Sequence, residues 1–492
     1  MRIRAFATLF LLLCGLQQAS AQVTTGPTAL DPSFASGGKR LLPFPGSDFR
    51  LLAHLQRPDG TSIAIAYYDG NGCPSGRHCL LLFPFNAAGV MGAQIAVPTG
   101  GQATFSKLTG GVVLDPVLIK AAAIDSQGRL IIVGTEQFGT AFDFKVVRLL
   151  SSGQPDTSFD GDGVQTIVFD FGSPNRDFAY GVSVDPSDQI VVVGEIDRSA
   201  TDTDFGVARL RVDGSLDPAF DGDGKRAVSF DLSATNTDRA VAVTATSNLI
   251  YIAGNASDNG VSRIALARLL NSGGFNAGFC ATSCSFQGTY PTINNGRRVI
   301  FYGTQGTTSD FVSAASVNLA TSPGEWVYAG TRLSDTFISQ AFVQKLQANG
   351  DYANEGLTDT GLTTSLYRIG GVHWVNPNSA TSDIVQTGSS GLDGINFFAQ
   401  GLNSALVPIP SWGTSGASNS VALWNATGGL GDANGKNLPA QSSIDSAGRI
   451  LTGGSYLAGN TNVPPYSVVI ARLARSVVGP PPDQIFKNGF EN

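Results

Sequence analysis

An all-β chain assembled from one small sheet repeated around a ring is what this sequence predicts, on three observations. A small residue that closes a short apolar run recurs as Ala66, Gly134, Gly194, Gly254, Gly330, Gly388 and Gly454, at intervals of roughly 60 residues, the length of a three- or four-stranded repeat. The run before it, as in Ile190-Val191-Val192-Val193, does not alternate in polarity, so both faces of its sheet must be dry. The balance of 42% hydrophobic and 14% charged residues, with 60 glycines in 492 residues, is that of a folded, turn-rich chain rather than a disordered one.

The unit is clearest between Phe178 and Gly214. Ala179 to Val184 reads as a first strand, Asp185-Pro186-Ser187-Asp188 as a turn, and Gln189 to Gly194 as a β-branched second strand. Phe205 to Val212 forms a third strand ended by Asp213-Gly214, and Gly224 to Phe230, like Gly163 to Phe169 before it, supplies a fourth. The third strand repeats with a basic residue at one position, Arg148, Arg209, Arg268, Lys345 and Arg472. Asp170 and Asp231 recur at the end of the fourth strand, and pairing of these charges within or between sheets is the economical expectation.

Seven copies can be counted, and the period suits a seven-bladed β-propeller of four-stranded antiparallel blades, because a β-helix coil is far shorter. The first recognisable strand, Lys39 to Phe44, is a fourth strand with no preceding three, whereas the last unit stops at its third, Val468 to Leu473. Pairing the two antiparallel in one blade closes the ring and removes two exposed edges.

The segments LDPSF (Leu30 to Phe34), PDTSFDGDG (Pro155 to Gly163) and LDPAFDGDGKRAVSF (Leu216 to Phe230) resemble the delta-60 repeat, a bacterial β-propeller family of unknown function. The resemblance covers roughly Leu30 to Ser476 and is eroded in copies four to six; it implies the propeller and no activity. The ending IFKNGFEN is similar to the I-F-x-x-G-F-E tails of some secreted Gram-negative proteins, which implies a sorting role.

The expected organisation is a signal peptide at 1–21, an N-terminal segment at 22–29, the propeller at 30–476, a proline-rich linker at 477–483 and a tail at 484–492. Arg2 and Arg4, the apolar run Ala5 to Leu16 and Ala19-Ser20-Ala21 make a secretory signal cleaved after Ala21, so the mature protein is expected in the periplasm or medium. Cleavage makes the net charge of −7 more negative still. Nucleic acid and anionic membrane are poor partners for such a surface, and no later apolar run is long enough to enter a bilayer.

No G-x-S-x-G, H-E-x-x-H or Walker A sequence occurs, and His54, His78 and His373 are too dispersed for a histidine metal cluster. No cofactor is expected. The DGDG segments place Asp160 with Asp162 and Asp221 with Asp223 as calcium loops begin, but further ligands do not follow; they read first as turns. Trp326 and Trp374 align with strands and read as core. Trp412 and Trp424 fall in a loop-rich stretch, where aromatic rings stack on sugars or partner proteins, and they are the candidate ligand-binding residues. The expected function is a monomeric binding or scaffold module for an unknown protein or glycan. The alternative is a propeller enzyme, lactonase- or lyase-like, with a metal on the central axis.

The four cysteines beyond the signal fall as two local pairs, Cys73 with Cys79 and Cys280 with Cys284, in a chain bound for an oxidising compartment. Each loop is short, so each bridge stabilises by about 2 kcal/mol at most. Alkylation of the mature protein without reductant should label no cysteine; stoichiometric labelling, read by mass spectrometry, would contradict the pairing.

Overall fold

The structure is a computed structural model that describes residues 31, 33–35, 38–42, 48–70, 72–99, 103–107, 118–169, 171, 174–234, 236–280, 296–300, 309–320, 323–333, 339–358, 367–376, 382–390, 396–409, 421–424, 438–445, 449–457 and 466–473. The expected signal peptide, the segment 22–29, the proline-rich linker and the tail lie outside the described residues, as do Asp170, Cys284 and Trp412.

The described residues form seven antiparallel sheets, one per blade of a propeller. Blade 1 runs from the innermost strand outward as Asp48–Gln56, Ser62–Asp69, Arg77–Phe85 and Ile95–Ala96. Blade 2 is Ile119–Ile124, Leu130–Phe138, Ala141–Leu149 and Val164–Ile167, and blade 3 is Phe178–Val184, Ile190–Ser199, Asp202–Leu210 and Lys225–Val228. Blade 4 comprises Arg239–Ala245, Leu249–Asp258, Val261–Leu270 and Arg297–Ile300; blade 5 comprises Ser309–Asn318, Glu325–Leu333, Ser339–Leu346 and Tyr352–Thr358. Blade 6 is Arg368–Trp374, Ile384–Ser390, Asn396–Leu402 and Val421–Trp424.

Blade 7 is composite. Leu438–Pro439 and Ser443–Ile444 pair with Ile450–Leu457, Tyr466–Leu473 follows, and Lys39–Leu42 lies antiparallel beside it with Lys39 opposite Ala471 and Leu42 opposite Val468. On the inner side, the backbone of Gln441 bonds Leu52 and His54 of blade 1, and its amide makes two hydrogen bonds to Ala122 of blade 2, 3.0 and 3.1 Å long.

The apolar interior lies between blades rather than within any one of them. Each of seven buried clusters joins two neighbouring sheets, from Ile65 and Ile132 between blades 1 and 2 to Val468 and Phe83 between blades 7 and 1. Burial on both faces is why Ile190-Val191-Val192-Val193 carries no polar alternation. The turn before it is built by Asp185, whose Oδ1 accepts the N–H groups of Ser187 and Gln189, and Asp125 does the same for Gln127 and Arg129. A carboxylate that mimics a backbone turn is what an aspartate at this position supplies.

The glycine that closes the second strand answers to a β-bulge. In six innermost strands the ladder skips one residue, as between Ala179 and Gly181 opposite Gly194 and Val193. A Cβ at Gly194 would stand 2.0 Å from the Phe178 carbonyl oxygen, and one at Gly254 2.1 Å from that of Arg239; no side chain fits there.

The repeated base of the third strand pairs differently from the expectation. Its partner is the aspartate of the D-x-x-F loop before the fourth strand: Arg148 with Asp156 at 2.8 Å, Arg209 with Asp217 at 2.8 Å and Arg472 with Asp31 at 2.7 Å. Asp231 lies at the far end of the fourth strand, beyond reach of Arg209. In blade 4 Asn276 takes the aspartate's place, 2.9 Å from Arg268. The loop phenylalanine covers each guanidinium, with Phe159 4.6 Å from Arg148 and Phe34 5.0 Å from Arg472. Lys345 instead pairs with Glu325 at 3.0 Å and reaches the Ser404 carbonyl of blade 6.

The latch also crosses to the next blade. Arg148 donates to the Val212 carbonyl of blade 3, Arg268 to Ala348 of blade 5 and Arg472 to Ala87 of blade 1. The residue after the phenylalanine donates its N–H in the same direction, Asp160 to Asp213 at 2.7 Å and Asp221 to Ser272 at 2.9 Å. Asp160 and Asp221 adopt positive φ to do so, while Asp162 and Asp223 each accept the N–H two residues on. The DGDG segments are therefore inter-blade turns with exposed carboxylates.

Cys73 and Cys79 form a disulfide in the loop before the third strand of blade 1. Cys280 is also disulfide-bonded.

Removing one member of a buried charge pair leaves the other uncompensated, at a cost of about 3–5 kcal/mol. Asp217→Ala should therefore lower the unfolding free energy by about 3 kcal/mol or more, whereas Asp217→Asn, the pairing blade 4 already uses, should cost about 1 kcal/mol. Denaturant titration separates the two, and equal costs would show that Asp217 acts as a loop residue alone.

Candidate functional site

The residues skipped by the inner ladders, Leu52, Lys120, Tyr180, Val241, Ser313 and Gly370, point the repeat at its own axis. With Pro439 to Ser442 of blade 7 they line a cavity of about 310 Å³ to which all seven blades contribute. Bulges re-aim side chains out of a regular sheet, and here they set the chemistry of the channel wall.

That wall is almost uncharged. Among its described lining residues Lys120 is the one charged side chain, and there is no carboxylate. Its ammonium lies 5.6 Å from the centre of the Tyr180 ring, which also carries Arg239 at 4.8 Å; Arg239 is in turn paired with Glu195 at 2.6 Å. His373 Nε2 lies 2.8 Å from Ser442 Oγ, which lies 2.7 Å from Thr387 Oγ1. Burial pushes the His373 imidazole down to about 4, so it is neutral at pH 7. Calcium needs six to eight oxygens and zinc about four ligands, and one imidazole with hydroxyls does not meet either demand. The wall suits a neutral or anionic polar molecule held by hydroxyl, amide and ring contacts.

A second polar region lies at the end of the ring where second and third strands join. In blade 3 one oxygen from each of Asp202, Asp204 and Asp231 lies within 4.8 Å of the others. Asp238, fully buried, accepts the Phe230 N–H at 2.7 Å and donates its own N–H to Thr203. Burial, then the charges of Asp204 and Asp231, push the Asp238 carboxyl up to about 8; burial and the neighbouring acids push Asp204 up to about 6 against the pull of Arg198. Blade 2 repeats the pattern with Asp177, which accepts the Asp197 N–H at 3.1 Å and is pushed up to about 7 by burial and by Asp143 and Asp197.

The candidate aromatic residues are placed differently. Trp326 and Trp374 are buried, 1% and 3% exposed. Trp424 is not in a loop: it ends the outermost strand of blade 6, opposite Phe397, because the chain returns to complete the fourth strand there. Channel and aspartate group both escape a reading of motifs, since the small residue that faces each bulge does not say which residue the bulge turns inward, and Asp204, Asp231 and Asp238 sit on separate elements. The pair Asp202 and Asp204 in DTDF was the one available signal.

These features define a closed seven-bladed β-propeller built from a degenerate repeat. Residues 126–159, 186–220 and 248–279 match a family described as a domain of unknown function (DUF5122), beta-propeller; the matched segments lie in blades 2, 3 and 4. No curated protein matches the chain. Among solved structures it is similar to the polysaccharide lyase Uly1, with a TM-score of 0.48 and 8% identity over 90% of this chain and 92% of that one. It is also similar to extracellular domains 1–2 of Drosophila Semaphorin 1a, TM-score 0.42 and 9% identity over 86% of each chain, and to a putative TolB from Agrobacterium tumefaciens, TM-score 0.31 and 14% identity over 62% and 79%.

Because the folded Asp177 carboxyl holds its proton to a higher pH than the unfolded chain, its contribution to stability is fully present below pH 3.8 and is lost progressively until about pH 7, by up to about 1.4 kcal/mol per pH unit. Asp177→Asn, which mimics the protonated acid, should raise the melting temperature at pH 8 and leave it nearly unchanged at about pH 3.5, below the value at which the unfolded carboxyl ionises. A variant destabilised equally at both values would show that Asp177 is ionised in the fold.

Proposed function

We propose that this protein is an exported propeller that binds a polar ligand, a glycan or a protein segment, and that it is not a metal-dependent enzyme of the axis. The signal-like N-terminus and the Cys73–Cys79 bridge support export; no helix among the described residues is long and apolar enough to cross a membrane. The observation that carries the binding reading is the channel wall: neutral groups converge there from all seven blades, and among the described lining residues Lys120 is the one cation, no carboxylate occurs and His373 is neutral. Such a wall holds a ligand without offering the paired acids or the metal ligands that hydrolysis or elimination needs.

The outer strand of blade 6 is a second surface, carried by the position of Trp424 at its end and joined in sequence to Trp412. Screening the purified full chain against glycan arrays and envelope extracts tests the reading. Binding lost in Lys120→Ala with Tyr180→Ala places the ligand in the channel; binding lost in Trp412→Ala with Trp424→Ala, with the melting temperature little changed, places it on blade 6. Turnover of a glycan or lactone that survives both double variants, or a stoichiometric tightly held transition metal, would overturn the binding reading.

A further inference from the structure

We propose that Asp202, Asp204, Asp231 and Asp238 form a binding site for a hard divalent cation, calcium in the first place, where blade 3 meets blade 4. This site is separate from the channel and does not depend on what the channel binds.

Three carboxylates converge within 4.8 Å, and the side chains most deeply set are left incomplete. Asp204 is 4% exposed and Asp238 fully buried, yet Oδ1 of each, like Oδ1 of Asp202, has no hydrogen-bond partner. Asp238 is fixed against both arms of the group, its Oδ2 on the Phe230 N–H beside Asp231 and its N–H on Thr203, between Asp202 and Asp204. A buried carboxylate oxygen without a partner is costly, and a cation that prefers oxygen ligands satisfies several at once.

The neighbouring blade shows what the chain does when it neutralises this place itself. In register with Asp204, blade 4 carries Arg263, paired with Asp258 at 3.4 Å; in register with Asp238, blade 5 carries Asp310, paired with Arg332 at 2.8 Å. Two acids there meet two arginines. Here four acids meet two arginines: Arg198, 3.3 Å from Asp204 Oδ2, and Arg297, whose charge acts on Asp231, Asp204 and Asp238 while its Nη1 donates to the Ser229 carbonyl. The carboxylates exceed that supply, and Asp231 is exposed, where an ion can enter.

The test uses the full chain stripped with EDTA, then titrated with calcium chloride by calorimetry and by thermal melting, with magnesium chloride as the comparison. Saturable calcium binding with a raised melting temperature is expected, and weaker binding of magnesium. Asp231→Asn, an exposed position that keeps its backbone geometry, should weaken calcium by about tenfold or more, with an unchanged melting temperature in EDTA. Asp204→Asn should do the same or more, whereas Asp160→Asn with Asp162→Asn should bind as the wild type does. No saturable calcium binding, binding unaltered by Asp231→Asn, or binding abolished by the Asp160 and Asp162 pair would each overturn the proposal.

Discussion

An arginine buried between an aspartate and a phenylalanine is the contact on which the ring depends. Arg148, Arg209 and Arg472 each lie on the third strand of a blade; the first two are sealed by the loop that follows, and Arg472 by the loop Asp31 to Phe34 that leads into Lys39–Leu42. Such a pair gives little net stability compared with an apolar replacement, because two charges must leave water. Its value is geometric. The same guanidinium that holds its own loop donates onward, as Arg148 does to Val212 and Arg472 to Ala87, so the orientation of one blade is passed to the next. Where the repeat decays the device changes: Lys345 keeps the charge and the onward bond with other partners, and Pro84 and Gly401 occupy the position in blades 1 and 6.

The second constraint works from the inside of the ring. The bulge of six innermost strands faces a glycine or, in blade 1, Ala66, and it turns one residue of each toward the axis. Scaffold and site thereby separate: the paired positions of those strands hold the sheet, and the skipped positions, from Lys120 to Gly370, are free to vary. Channel chemistry can change without disturbing blade packing, which leaves a repeat that is nearly all structure room for a site.

Much of the fold was legible because its devices are local. The small residue that faces the bulge, the aspartate that makes the turn before the second strand and the D-x-x-F loop, as at Gly134, Asp185 and Phe220, each lie within one repeat, so period and blade number follow from their recurrence along the chain. Pairing across elements was less legible. Asp231 resembles a partner for Arg209 in the alignment, but strand direction carries it to the other end of the sheet, and Asp217 is nearer. Trp424 sits among glycines and asparagines that read as a loop, yet four residues of that stretch complete a blade. The aspartate group of blade 3 was invisible for the same reason, since three separate elements bring it together.

The composite seventh blade gives the ring a mechanical character. Lys39 lies opposite Ala471 and Leu42 opposite Val468, so the chain enters this sheet and leaves it side by side. A load that draws the two ends apart would first meet the Asp31 contacts to Arg472 and then act on the shared ladder one hydrogen bond at a time, from the bond between Gly38 and Arg472 inward, rather than on all of it in shear. The last seam of the ring is then its zip. Pulled from its ends the molecule should open at low force by shedding Lys39 to Leu42, and the same propeller held by a loop of blade 3 should resist far longer.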